Sequence, residues 1–303
     1  MPSGSRRTAP TRNFDTASHR SVRRAPLGNG LPPPNRHHHT INDGASNRQG
    51  ILMKLYFDYP LSERVRNFIR LGQLAQRFHE TLESDDKWLH HIAVCTLFEL
   101  SECASRADLK RDLLHDLERQ RIQQNASAEP DQAHLDKLNR AIAELQAANR
   151  QSAQSLRENE WLTAFKHKLN IPGSTTAVEL PSYHYWLHQD AEAHRRYLEK
   201  WSSATLPVQQ AVELVLAHLY RHTHTLECEA KNGVYQHGGL VQSTHLLRIG
   251  VAREHEVVPE VSANKYFTNI GFLQANQEST RSKRSEKDFS FELILCGMEA
   301  AQA

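Results

Sequence analysis

The sequence predicts an α+β fold in which a mainly helical domain, with a long antiparallel helical hairpin, accompanies a smaller antiparallel β-strand domain. Three observations predict it. Apolar residues recur at helical spacing from Leu61 to about residue 224. After Thr225 the pattern changes to short β-branched and aromatic runs separated by Gly-, Ser- and charge-rich turns. Helices in one run and strands in the next give segregated elements rather than an alternating βαβ sheet.

The chain opens with a segment outside this pattern. Residues 1–52 hold eight Arg, no Lys and two acids, a charge of +6, and six of the 12 Pro. The remaining 251 residues hold 29 basic and 33 acidic residues, a charge of −4, so the total of +2 averages two unlike parts. The opening segment has too few large apolar residues to fold. It is expected to be a disordered basic extension, with Met53-Lys54-Leu55-Tyr56-Phe57 resembling a natural start. The three prolines at 32–34 break any transit-peptide helix, and no apolar run marks a secretory signal.

Tyr56-Phe57-Asp58-Tyr59 reads as extended and ends at Pro60. Leu61, Val65, Phe68, Ile69, Phe78 and Leu82 then mark a first helix. A second, richly apolar helix runs from about Trp88 to Cys103. A third carries Leu109, Leu113 and Leu117 and ends near Gln124. Ser127-Ala128-Glu129-Pro130-Asp131 is a turn and helix start. Leu135, Leu138, Ile142 and Leu145 then alternate spacings of three and four, a coiled-coil-like seam that makes an antiparallel hairpin with the helix before it. A helix around 156–169 stops at Ile171-Pro172-Gly173. Thr175 to Leu180 alternates and is read as a strand. Helices follow at about 182–202 and 206–222, the latter with Thr205 as N-cap and Pro207 in its first turn. Strands are expected at 226–236, 243–252, 264–273 and 288–295, with Gly238-Gly239 as a hairpin turn. Residues 53–173 with 182–224 thus form the helical domain, 174–181 with 225–297 the β-strand domain, and 298–303 a tail.

Several function classes lose support at once. No stretch approaches the roughly 20 apolar residues of a membrane helix, so no membrane partner is expected. The four cysteines stand far apart without C-x-x-C, which indicates neither a disulfide framework nor a zinc ribbon, only reduced thiols of a cytoplasmic protein. There is no G-x-x-x-x-G-K-[ST], G-x-G-x-x-G or G-x-S-x-G, so phosphate-cradle and nucleophile-elbow chemistry is unsupported and no enzyme is expected. His184/His188 and His218/His222 have the i,i+4 spacing of metal ligands, but neither intervening triplet contains an acid, and Arg221 opposes a cation. No metal and no cofactor are expected. Asp85-Asp86 reads as a solvated helix start.

Basic groups are the better lead. Arg106 and Lys110 stand one turn apart at the start of the third helix. Arg248, Arg253 and Lys265 lie in the strand region, followed by Arg281, Lys283, Arg284 and Lys287. On an acidic body such local positives suit a carboxylate-bearing partner. The alternative is a nucleic-acid-binding regulator that uses the leader and the 281–287 cluster, but aromatic residues able to stack bases are sparse there (Tyr235, Tyr266, Phe267).

Long ordered stretches also resemble a known family. Leu156-Arg157-Glu158 leads to Leu169-Asn170-Ile171-Pro172-Gly173, then to Glu179-Leu180-Pro181-Ser182-Tyr183-His184-Tyr185-Trp186-Leu187-His188. With Tyr59-Pro60-Leu61-Ser62-Glu63, Asp112-Leu113-Leu114 to Leu117-Glu118-Arg119-Gln120, Asn232-Gly233-Val234-Tyr235-Gln236, Leu246-Leu247-Arg248 and Phe291-Glu292-Leu293, the order I-P-G, L-P, H-x-W-L-H is similar to that of the ZapD family. The resemblance covers about 53–297 and leaves 1–52 unmatched.

The resemblance implies a non-enzymatic homodimer that binds the C-terminal tail of FtsZ and bundles its filaments at the division ring. The family's basic positions fall on Arg106, Lys110 and Arg248. Two family arginines implicated in the partner contact, in the strand after Pro259-Glu260-Val261-Ser262, fall on Phe267 and Gly271, and only Lys265 keeps charge there. Either the partner tail is less acidic here, or the missing cations come from Arg253 or the 281–287 loop. His184 and His188 are read as aromatics flanking the core with Trp186.

Overall fold

A computed structural model describes residues 53–148, 156–240, 243–264, 266–276, 278 and 281–297. The expectations for residues 1–52, for the tail at 298–303 and for Lys265 lie outside the described residues. The described residues form one compact unit.

Helix starts follow from capping chemistry, in which a side-chain oxygen accepts from an otherwise unpaired N–H of the first turn. Ser62 caps α1 (Glu63–Glu83), Asp86 caps α2 (Lys87–Ala104), Asp131 caps α4 (Gln132–Ala147) and Asn159 caps α5 (Glu160–Leu169). The helix α3 (Ala107–Asn125) starts at Arg106 with no side-chain cap, and Asp108 in its first turn offsets the helix dipole instead. Pro181 and Pro207 occupy the first turns of α6 (Pro181–Leu187) and α8 (Leu206–Arg221). Between these two, α7 spans Ala191–Ser202.

The hairpin of α3 and α4 forms as its seam requires. Leu109, Leu113 and Leu117 of α3 and Leu138, Ile142 and Leu145 of α4 are buried in one core with Val65, Phe68 and Leu71 of α1 and Val212, Val215 and Leu219 of α8. Lys110 at the start of α3 donates to the Ala148 carbonyl after the end of α4 at 2.7 Å, which fixes the antiparallel sense. A second helical core gathers aromatics. Phe165 stacks on Tyr183 at 4.7 Å and on Trp161 at 5.6 Å, and Trp186 stacks on His194 at 4.2 Å.

The strands are β1 (Lys54–Pro60), β2 (Thr223–Ala230), β3 (Val234–His237), β4 (Thr244–Ala252), β5 (Val257–Ala263), β6 (Thr268–Gln274) and β7 (Phe289–Gly297). They form a four-stranded sheet of order β1-β4-β7-β2 and a three-stranded sheet of order β3-β6-β5, every pair antiparallel. Alternation gives the larger sheet two apolar faces. Leu247, Ile249, Phe291 and Leu293 share a core with Ile270 and Phe272 of the smaller sheet. Leu246 and Cys296 turn the other way, into the core built on α1, α3, α4 and α8. The four-stranded sheet is therefore the middle layer.

Several local expectations change. Residues 174–181 are not a strand. Leu180 N–H donates to the Thr176 carbonyl at 2.9 Å, Val178 is 88% exposed, and Pro181 opens a helix, so the alternating pattern curls into turns without a partner strand. The helix expected over 182–202 breaks after Leu187, because Asp190 accepts from Ala193 N–H at 2.7 Å and starts α7. The strand expected over 226–236 is two strands. Asn232 and Gly233, with φ of 48° and 65°, make the turn between β2 and β3. Gly238-Gly239 is no hairpin turn, since the strands on its two sides lie in different sheets. The strand expected over 264–273 begins at Thr268, and β5 precedes it. Pro259 in β5 is tolerated because β5 is an edge strand. Finally, β1 pairs along β4 from Lys54↔Ala252 to Pro60↔Leu246, so this extended segment joins the sheet rather than the helices.

Candidate partner-binding surface

The predicted basic residues divide into those held within the chain and those that face solvent. Arg248 is of the first kind. Register sets it opposite Asp58 across β1 and β4. Its Nε and Nη2 donate to the two Asp58 carboxylate oxygens at 2.7 and 3.1 Å, a bidentate pair. The Tyr220 hydroxyl of α8 donates to the same carboxylate at 2.9 Å, and the guanidinium lies 4.3 Å from the Tyr220 ring centroid. Burial, then the Asp58 charge, raises the Tyr220 phenol above its ordinary range, so it remains a donor. Arg248 thus ties β1, β4 and α8 together.

The same face of the sheet carries a second cluster, where Lys54 pairs with Glu292 at 2.5 Å and the Tyr56 hydroxyl donates to Glu292 at 3.1 Å. Nearby Cys296 is buried, and burial pushes its thiol up to about 12, so it stays protonated and inert.

Lys110 is half-buried and serves the hairpin. Besides Ala148 it reaches the Gln146 carbonyl at 3.5 Å, satisfying backbone acceptors at the end of α4. Arg106, one turn earlier, is exposed. It holds Asp108 with Nη2 at 2.6 Å, and this hydrogen bond keeps the Asp108 carboxyl below its ordinary range. Such an exposed pair contributes little to stability and exchanges readily for another carboxylate. Arg253 is also exposed, in the short 3-10 turn that follows β4. Arg281, Lys283, Arg284 and Lys287 are all exposed, and with Glu286 they form a basic run just before β7.

The structure therefore brings Arg106 and Lys110 to one helix start, and Arg248 and Arg253 to one strand and its exit. The residues that sequence reasoning missed are Asp58 and Tyr220, the partners that fix Arg248. Strand register is the signal for Asp58, whereas Tyr220 follows only from the packing of α8 on the sheet.

Histidine pairs do not gather into a metal centre. His184 and His188 are exposed with rings 4.4 Å apart, and His188 Nδ1 bonds the His184 carbonyl at 2.8 Å. His222 Nδ1 bonds the His218 carbonyl at 3.0 Å in the same way. Among the described residues no three His, Cys, Asp or Glu side chains come together as metal ligands, and no helix is long and apolar enough to cross a membrane. Asp86 of the acidic pair caps α2, while Asp85 pairs with Arg195.

Comparison with known proteins gives these features a family. The model of the ZapD family, described as cell division protein, matches residues 69–271. A cell division protein ZapD from Chromobacterium violaceum is 38% identical over 248 residues, 79% of this chain and 98% of that protein. The ZapD of Aromatoleum aromaticum is 37% identical over 249 residues, 80% of this chain and 97% of that protein. The ZapD of Dechloromonas aromatica is 34% identical over 249 residues, 80% of this chain and 99% of that protein. With three relatives above one-third identity along nearly their whole length, this chain belongs to the ZapD family of cell division proteins.

Proposed function

We propose that the chain is a non-enzymatic division factor that binds the C-terminal tail of FtsZ and cross-links FtsZ filaments at a cytoplasmic, mid-cell division ring. The observation that carries this reading is the match along about four-fifths of the chain to proteins named for cell division. The charge distribution supports it, because exposed cations sit on an otherwise acidic body. Arg106, Arg253 and Lys265 contact the tail. Lys110 and Arg248, both engaged within the chain, act by holding the helix start and the strand that present those contacts. The protein works as a homodimer. Two tail sites per dimer convert weak individual contacts into bundling through effective concentration.

The test is binding of a fluorescent FtsZ C-terminal tail peptide to the full-length chain at low and high salt. Saturable binding that weakens as salt screens the charge contacts is expected. No binding at low salt refutes the reading.

A further inference from the structure

Each sheet ends in two edge strands, and the edges differ. β5 carries Pro259, which has no N–H to offer a neighbour, and β3 spans only Val234–His237. β1 begins at Lys54 and ends at Pro60. Proline, lysine and short length are features that keep a strand edge from pairing with another chain. β2 has none of them. Its sequence is Thr223-His224-Thr225-Leu226-Glu227-Cys228-Glu229-Ala230. It pairs with β7 in unbroken register from Thr223↔Cys296 to Ala230↔Phe289 and stands at the end of its sheet. Among the described residues no backbone–backbone hydrogen bond reaches its outer side. Thr223, His224, Thr225, Glu227 and Glu229 are all exposed.

Alternation sorts the side chains of this strand. Cys228 and Ala230 are buried in the β core and Leu226 packs against it, so the even-numbered positions share that face. Thr223, Thr225, Glu227 and Glu229 form the opposite row. In that row two threonines precede Leu226 and two glutamates follow it, an order that complements itself when reversed. Two copies of β2 laid antiparallel, with a two-fold axis at Leu226, set Glu227 opposite Thr225 of the second copy and Glu229 opposite its Thr223. Residues 223–229 are then all paired. An axis moved to Glu227 or to Cys228 sets glutamate directly against glutamate, which is destabilising. An axis moved to Thr225 shortens the paired stretch to residues 223–227.

We infer that two copies of this chain join through β2, edge to edge and antiparallel about Leu226, so that their four-stranded sheets become one continuous sheet. The inference rests on the homodimer proposed above and names the surface that joins its two chains. Backbone hydrogen bonds satisfy the open edge, and the contact is isologous, each side offering the same patch. Specificity comes from the outer row, where threonine hydroxyls donate to glutamate carboxylates across the axis, each pair occurring twice by symmetry. Both carboxylates are available, since among the described residues neither Glu227 nor Glu229 makes an ion pair or a side-chain hydrogen bond. Glu227 also stands opposite Glu292 of β7, a like-charge neighbour already held by Lys54 at 2.5 Å. A hydroxyl donor on the free side of Glu227 offsets the remaining repulsion.

The experiment measures self-association of the fluorescently labelled full-length chain by sedimentation velocity across a concentration series. Thr225→Glu sets glutamate against Glu227 on both sides of the axis and is expected to weaken association about tenfold or more. Thr223→Glu, which faces Glu229, is expected to act in the same direction and serves where the first variant is poorly folded. Thr225→Glu combined with Glu227→Thr exchanges the two residues, restores the match, and is expected to recover most of the loss. Ala143→Glu, an exposed change on α4 that adds the same charge, is expected to shift association less than twofold. If the unaltered chain associates and the threonine variants associate equally tightly with unchanged melting curves, this surface is overturned while the homodimer stands. The same holds if the exchange recovers nothing or if Ala143→Glu weakens association as much. If the unaltered chain stays monomeric at every concentration, both fall.

Discussion

Replacing Arg248 separates a structural cation from a ligand-binding one. Its pair with Asp58 is bidentate, and the two side chains are 29% and 18% exposed. That places it between exposed pairs, measured at about 0.2–1 kcal/mol, and fully buried ones, where removing one partner costs about 3–5 kcal/mol. Stacking on the Tyr220 ring contributes about 1 kcal/mol at this depth. Arg248→Ala is therefore expected to cost about 2–3 kcal/mol, a fall in Tm of roughly 4–12 °C for a folded body of this size. Asp58→Ala strands the guanidinium and removes the Tyr220 acceptor, so it should cost a similar amount. The double variant should cost less than the sum, with a coupling of about 1–2 kcal/mol. Urea unfolding followed by far-UV circular dichroism measures all three. Changes within about 0.5 kcal/mol of zero and no coupling would refute the reasoning, the more so if Arg248→Ala abolished tail binding at unchanged stability.

Two further predictions concern the aromatic core. Trp186 is 4% exposed and packs on Tyr183, Trp161 and His194, so Trp186→Ala should cost about 3–5 kcal/mol, and an unchanged melting point would contradict that. The second is a pH dependence. His90 and His194 are buried with their Nδ1 atoms 2.8 Å apart, and His194 Nε2 bonds the Trp186 carbonyl at 2.6 Å. A carbonyl only accepts, so His194 carries its proton on Nε2, and His90 donates from Nδ1. Burial, then His194 and, more weakly, Arg195, lowers the His90 pKa, against smaller opposing contributions from the Leu82 and Ser84 backbone. The unfolded chain titrates near pH 6.5 and so binds more protons below it. Stability should be full above about pH 6.5 and fall as pH drops, by up to about 1.4 kcal/mol per pH unit from this group. His90→Gln should flatten that slope, and an equal slope in the variant would remove the assignment.

Much of the fold was legible because the signals were local. The leucine seam of α3 and α4, the caps at Asp86 and Asp131 and the β-branched runs after Thr225 each depend on neighbours in sequence. The failures have equally definite causes. Thr175–Leu180 has strand-like alternation but no strand to pair with, and pairing is a property of the whole sheet. Asn232-Gly233 is a hairpin signal in its own right, and reading 226–236 as one strand passed over it, while Asp190 lay inside a long helical pattern. The surface was less legible than the fold. Counting positives found Arg106, Arg253 and Arg284, yet gave no hint that Arg248 spends its charge on Asp58.

The most direct test of the whole account is low-speed co-sedimentation of polymerised FtsZ with the full-length chain. The account predicts that FtsZ pellets as bundles in the presence of the protein, that bundles are visible by electron microscopy, and that both effects fade as salt rises. FtsZ left in the supernatant as single filaments at low salt, with the protein soluble and folded beside it, would contradict it.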